Sequence, residues 1–251
     1  MNKLASRIFC GLALLLVSAT ATAQDYELPK SATAPVITLD FRGDRLQRID
    51  PAPSLSILSD GTVLMPRSYA HTRAYVGKLT ASELQDLLDF IIKENEFLGF
   101  HEPTVAAKLA AVDDGRRPNF THAVTTIIGI ALPAHQKTVA VRQLGVGAQV
   151  RETEQLLAIE DRLERLMSIV KLGGTKEARN WLEVANGELA AMQPGLEPLV
   201  MEDLRSAAVR SDGSFFVQFV RDPGAGFDGV NLAISAPARG DHQIAISRVA
   251  P

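Results

Sequence analysis

The sequence predicts an α+β protein: an antiparallel sheet packed with amphipathic helices, followed by a small helix-plus-antiparallel-β module. Three observations carry this. Apolar stretches pair around short turns at Ser59-Asp60-Gly61 and Pro133-Ala134-His135-Gln136. Two stretches between 80 and 170 repeat their apolar residues at spacings of three and four, as one-sided helices do. Beyond Pro194 the pattern changes to strands separated by Gly-containing turns.

The chain opens with Lys3 and Arg7, then an apolar run from Ile8 to Val17, then Ala21-Thr22-Ala23. A basic start, a short apolar run and a small-x-small site make residues 1–23 a signal peptide cut between Ala23 and Gln24. A membrane span takes about 20 apolar residues, and no later stretch reaches that length. Cys10 precedes most of the apolar run instead of following it, so it is no lipoprotein cysteine. The expected location is the periplasm or the medium, with no integral membrane segment after signal removal. Cys10 is the only cysteine, so the mature chain has none. That excludes disulfides, thiolate nucleophiles and cysteine metal sites. Losing Lys3 and Arg7 leaves 24 basic against 29 acidic residues, a net charge near −5 that offers nucleic acid no cationic surface.

Residues 24–34 read as a loose polar arm. Val36 to Phe41 alternates like a half-buried strand, and Ser54–Leu58 with Thr62–Met65 forms a hairpin whose Asp-Gly tolerates a tight turn. Thr80-Ala81-Ser82-Glu83 is a capping box opening a helix that buries Leu84, Leu87, Leu88, Ile91 and Ile92. Thr121–Leu132 and Lys137–Leu144 form the second hairpin. A helix from about Glu152 to Val170 buries Leu156, Ile159, Leu163, Leu166 and Val170. Gly173-Gly174 is the expected boundary between a 35–172 domain and a 175–251 module. Thr175 is placed to cap a third helix with Trp181, Leu182, Ala185 and Leu189 on one face. Strands follow at Ala207–Arg210, Phe215–Val220, Val230–Ser235 and Gln243–Val249.

Ser59-Asp60-Gly61-Thr62-Val63, then Gly77-Lys78-Leu79-Thr80 and Glu83-Leu84, resembles a group of uncharacterised exported bacterial proteins. Their plan is x-D-G-x-V … G-x-L-[ST]-x-x-E-L. Thr125-Thr126-Ile127-Ile128, its hairpin and the Leu156–Leu166 helix extend the resemblance over about residues 35–172. More remotely, the layout is similar to the emfourin protease inhibitors, small antiparallel-sheet-and-helix proteins. The resemblance implies a protein partner such as a protease and carries no site residue across. Phe41-Arg42-Gly43-Asp44 stands where those inhibitors have a Gly-Gly-rich segment.

Local motifs reduce to ordinary structure. Gly224-Ala225-Gly226-Phe227-Asp228-Gly229 matches G-x-G-x-x-G, but a strand follows it, where a dinucleotide site needs a helix. Asp222, Asp228 and Asn231 offer oxygens for calcium without EF-hand spacing. Ser168-Ile169-Val170-Lys171 matches S-x-x-K at the wrong end of a helix, with no S-D-N or K-T-G partner. Asn119-Phe120-Thr121 is a glycosylation sequon. His71, His101, His122, His135 and His242 form no H-E-x-x-H or other i,i+4 pair. Glu94, Glu96 and Glu102 read as a solvated charged face rather than a carboxylate pair. No catalytic, cofactor or metal residues are therefore assigned. The expected function is secreted, non-catalytic binding. The alternatives are a hydrolase with a scattered active site and an envelope accessory protein.

Overall fold

The computed structural model describes residues 26–43, 51–67, 74–112, 124–146, 149–209, 213–221, 229–236 and 243–249. Its class is α+β. Strands β1 (Pro35–Arg42), β2 (Leu55–Leu58), β3 (Thr62–Met65) and β4 (Tyr75–Lys78) form a meander. The hairpin of β5 (Thr125–Ala131) and β6 (Gln136–Arg142) joins the free side of β1, giving the antiparallel order β4-β3-β2-β1-β5-β6.

Strand alternation decides which face is buried. Leu39 lies opposite Leu55 on β2 and Ile128 on β5, and Ile37 lies opposite Ile57 and Ile130. All six are buried and point to one side. The β2–β3 turn is closed by its own residues: Asp60 Oδ1 accepts from Thr62 N at 2.8 Å, and Gly61 takes φ +84°. A Cβ on Gly61 would also strike the Leu79 carbonyl, so glycine is required there twice over.

Two helices cover the buried face. In α1 (Ala81–Asp89), Glu83 N donates to Thr80 Oγ1 at 3.2 Å and Thr80 N donates to Glu83 Oε2 at 2.8 Å, the capping box read from sequence. Leu84, Leu87 and Leu88 enter the core, and Ile91 continues the stripe from a π-helical turn over Phe90–Glu94. The long α3 (Arg151–Leu172) adds Leu156, Ile159, Leu163 and Val170, while Leu166, expected in the same stripe, is only partly buried and Met167 is buried instead. Three features were not anticipated: the π-helical turn, β4, and α2 (Glu102–Val112), which buries only Val105. Lys137 on β6 reaches back to the 3₁₀ turn at Phe97–Gly99, donating to the carbonyls of Leu98 (2.7 Å) and Phe100. Residues 26–34 are tied to this unit. Tyr26 exchanges backbone bonds with the Gln85 side chain at 2.8 and 3.0 Å, and Ser59 Oγ donates to the Ser31 carbonyl at 2.5 Å.

The second sheet holds β7 (Leu204–Val209), β8 (Phe215–Arg221), β9 (Gly229–Ala236) and β10 (Gln243–Val249), antiparallel in the order β10-β9-β8-β7. Val217, Phe219, Leu232 and Ile234 form its buried face, covered by Ala178, Ala185 and Leu189 of α4 (Thr175–Met192). Trp181 lies against Phe215, ring centroids 4.3 Å apart. Thr175 does not cap α4. It is the first helical residue, and Gly174 holds the cap position without a side-chain bond. Gly173 (φ +102°) and Gly174 (φ +113°) turn the chain between α3 and α4.

The two apolar clusters share no buried residue: one runs from Val36 to Val170, the other from Ala178 to Ile234. They meet along α3 and β7, where Arg205 Nη1 lies 2.7 Å from Asp161 Oδ1. Tyr75 Oη also donates to the Val209 carbonyl at 3.4 Å. No helix among the described residues is long and apolar enough to cross a membrane.

Candidate ligand-binding groove

Helix α3 has three sides with different work. One buries Leu156, Ile159, Leu163 and Val170 against the six-stranded sheet. A second carries Glu160, Asp161 and Glu164 towards Arg205 of β7. The third presents Arg162, Arg165, Leu166 and Ile169 to α1 and α4. A helix of 3.6 residues per turn places i, i+3 and i+4 together, so each side reads directly off the spacing.

The second side is a partly buried polar layer. Thr126 Oγ1 on β5 donates to Glu160 Oε1 at 3.1 Å. Burial, and then the nearby Glu164 charge, push the Glu160 carboxyl up to about 7 despite that bond. Burial also raises Glu164, against the opposing pull of Arg205. Between this layer, β7, β8 and the 3₁₀ turn at Met201–Asp203 lies a cleft of about 320 Å³. Two of its arginines are already paired. Arg205 holds Asp161, and Arg221 Nη2 lies 2.9 Å from Asp203 Oδ2 while also donating to the carbonyls of Glu197 and Pro198.

A groove of about 250 Å³ adjoins this cleft, and Arg165 and Glu202 line both. Its floor is aliphatic, from Leu79, Leu87, Leu166, Ile169 and Met201. Its walls carry Arg162, Arg165 and Arg179, none of which has an ion pair or hydrogen bond among the described residues. Arg162 lies 5.9 Å from the centroid of the Phe90 ring. Arg165 Nε is buried without an acceptor, and burial weighs against its charge.

The motif residues fall elsewhere. Ser168 is buried, and its hydroxyl donates back to the Glu164 carbonyl at 3.0 Å, a helix-interior bond that leaves no nucleophile facing a cleft. Glu96 pairs with Arg151 at 2.6 Å on the surface, and Glu94 and Glu102 are exposed. His101 Nδ1 bonds Thr104 Oγ1 at 2.8 Å, and His135 is exposed on the β5–β6 turn. Among the described residues no group of three or more His, Cys, Asp or Glu is placed to hold a metal ion. Residues 1–23, Ala23-Gln24, His71, His122, His242, the 119–121 sequon and the Asp222–Asp228 part of the glycine loop lie outside the described residues. The groove itself was missed. Its signal was the i,i+3 pair Arg162 and Arg165 beside Leu166 and Ile169, a polar-apolar seam in a helix otherwise read by its buried stripe.

Comparison with known proteins finds no matching family model, no matching curated protein and no matching solved structure.

Proposed function

We propose that this chain is exported and acts in the periplasm or the medium as a non-catalytic binding protein whose partner is a protein such as a protease. The observation that carries the reading is the groove between α1, α3 and α4. It is a concave surface with an aliphatic floor, rimmed by Glu83, Asp86 and Glu202 and by three arginines that have no ion pair or hydrogen bond among the described residues. Ligands are commonly held on concave surfaces with an apolar floor and a few polar groups around it. The basic start, short apolar run and Ala-x-Ala site support export.

A pull-down from the native envelope and culture medium, with the tagged mature protein, tests this. The wild type is expected to retain a partner that the Arg162→Glu/Arg179→Glu form loses, and to inhibit that partner if it is a protease. Equal recovery by both forms would move the interface away from the groove. A hydrolase is the second reading, and one observation favours it: Glu160 and Glu164 sit one helical turn apart with raised carboxyls, as acid catalysts require. Turnover of ester, peptide or glycoside substrates that disappears in Glu164→Gln would establish that reading instead.

A further inference from the structure

The groove and the acidic layer of α3 lie on one joint. Leu79, Leu87 and Leu166 reach the groove from the first unit, and Arg179 and Met201 reach it from the second, α4 with β7–β10. The groove is therefore complete only while the second unit is closed against α3. The two apolar clusters share no buried residue. Apolar packing across the joint comes from Ile169 and Leu172 of α3 and Val209 of β7, all partly buried. Ile169 and Leu172 lie next to Gly173-Gly174, so they move least if the chain turns there. Both glycines hold positive φ, and a Cβ on Gly174 would have no atom within 4 Å, which leaves the pivot unobstructed.

One helical turn before that pivot and further back, the joint is charged. Helix α3 offers Glu160, Asp161 and Glu164, and β7 answers with Arg205, whose Nη1 holds Asp161 at 2.7 Å. From β5, Thr126 donates its hydroxyl to Glu160 at 3.1 Å, and the Tyr75 hydroxyl of β4 is engaged by the Val209 carbonyl. Arg165 and Lys171 are the nearby cations of α3 itself. The second unit adds Glu202, Asp203 and Arg221 to the cleft, the last two paired with each other. With Glu160 and Glu164 protonated, three carboxylates face four cations; with both ionised, five carboxylates face the same four. No histidine among the described residues lines this cleft.

We infer that the α3–β7 joint is a proton-operated hinge. With Glu160 and Glu164 protonated, the second unit closes on α3 and completes the groove. With both ionised, it swings away about Gly173-Gly174 and takes the groove apart. Burial favours the protonated form of both carboxyls, and Arg205 opposes it. Opening hydrates the layer, so the closed form binds more protons than the open one. Its advantage is full at low pH and is lost as pH rises through the closed-state value, about 7 for Glu160. The hinge stands on the joint alone, whereas its control of partner binding rests on the binding reading above.

A distance across the joint tests it. Cys10 is the only cysteine, so a chain beginning at Gln24 takes spin labels at Glu94→Cys and Glu183→Cys alone. Both positions are exposed, one beside α1 and one on α4. Double electron–electron resonance is expected to give one narrow distance at pH 5 and a longer population at pH 8 that disappears on return to pH 5. The closed and open forms differ by at least about one pKa unit in proton affinity, so the opening constant is expected to rise at least about tenfold. Glu160→Gln/Glu164→Gln is expected to stay closed at both pH values. Glu164→Gln alone, the milder variant, is expected to lose part of the response. Arg205→Gln is expected to open at lower pH, because Asp161 also loses its partner. Trp181, the only tryptophan, packs on Phe215 inside the second unit, so its emission is expected to hold while the labels part. The hinge is overturned if the distances are the same at both pH values, if the glutamine variants open as the wild type does, or if Trp181 emission shifts to the red with the distance, which would mean unfolding of that unit. The pull-down repeated at the two pH values separates the two readings. Partner retained at pH 5 and released at pH 8 supports control of the groove. Labels that part without any partner recovered at either pH would remove the binding reading and leave the hinge standing.

Discussion

Gly77 on β4 and Val170 on α3 touch so closely that a Cβ on Gly77 would lie 2.6 Å from Val170 Cγ2. The helix crosses the edge strand β4 at its glycine, and Val170 fills the space. Gly77→Ala is therefore expected to destabilise the protein by about 1–3 kcal/mol through overpacking. Adding Val170→Ala relieves the clash, so the double variant is expected to be less destabilised than the sum of the two single variants. Urea unfolding of all four proteins measures the coupling. Strict additivity would show that the helix shifts freely and that the close approach is not a constraint.

Glu160 makes stability depend on pH. Its carboxyl is raised from the ordinary 4.5 to about 7 in the folded protein, so between those values the native state binds more protons than the unfolded chain. Stability from this group is full below the unfolded value and is lost as pH rises through the folded value. Glu164 shifts in the same direction, while Arg205 opposes both shifts and Asp161 adds to them. The melting temperature is expected to fall from pH 5 to pH 8. Glu160→Gln keeps an acceptor for Thr126 and flattens much of that slope, raising stability at pH 8 relative to the wild type. An unchanged slope in the variant would assign the pH dependence to other groups.

Elements whose signal is local were legible, and elements defined by their neighbours were not. The Thr80–Glu83 box, the Asp60-Gly61 turn and the α3 stripe each state their structure within a few residues; the first two stand as read, and the stripe stands except at Leu166, which is only partly buried and lines the groove. Helix α2 was missed because Glu102–Val112 has no one-sided apolar pattern, and only Val105 is buried. Tyr75–Lys78 is too short to alternate convincingly and becomes a strand by pairing with β3. Thr175 has the right side chain for a cap, but it is already the first helical residue, and Gly174, at φ +113°, holds the cap position one residue earlier. The groove was hidden for the same reason. Arg162 and Arg165 line a groove only once α4 and the Met201–Asp203 turn are folded beside them.

The leader carries a prediction independent of the fold. Under the proposed export the Ala21-Thr22-Ala23 site would be cut after Ala23, so N-terminal sequencing of the secreted protein is expected to begin at Gln24. Recovery of Met1 from a membrane fraction would refute cleavage.

The Gly173-Gly174 turn bears on whether one half can fold without the other. Every buried residue of the first cluster lies between Val36 and Val170, so a fragment covering 24–172 retains that core whole. It also retains the Thr80 cap, the ties of residues 26–34 and the Lys137 bonds. What it loses is the cover of β7 over α3: the Arg205–Asp161 pair, the Tyr75–Val209 bond, and the packing of Ile169 and Leu172 against the second cluster. These are edge contacts rather than core, so the fragment is expected to fold cooperatively with a lowered melting temperature. Its Glu160 would be more solvated, and its pH dependence correspondingly weaker. The 175–251 piece has a smaller cluster and lies near the lower size at which a domain folds unaided. It is expected to remain unfolded alone. Limited proteolysis of the whole mature protein provides the parallel test, with early cleavage near 171–176 and a persistent N-terminal product. Circular dichroism and urea titration of the 24–172 fragment decide the matter. A fragment without a cooperative transition would mean that α3 needs β7 to hold its place, and that the two clusters fold as one unit.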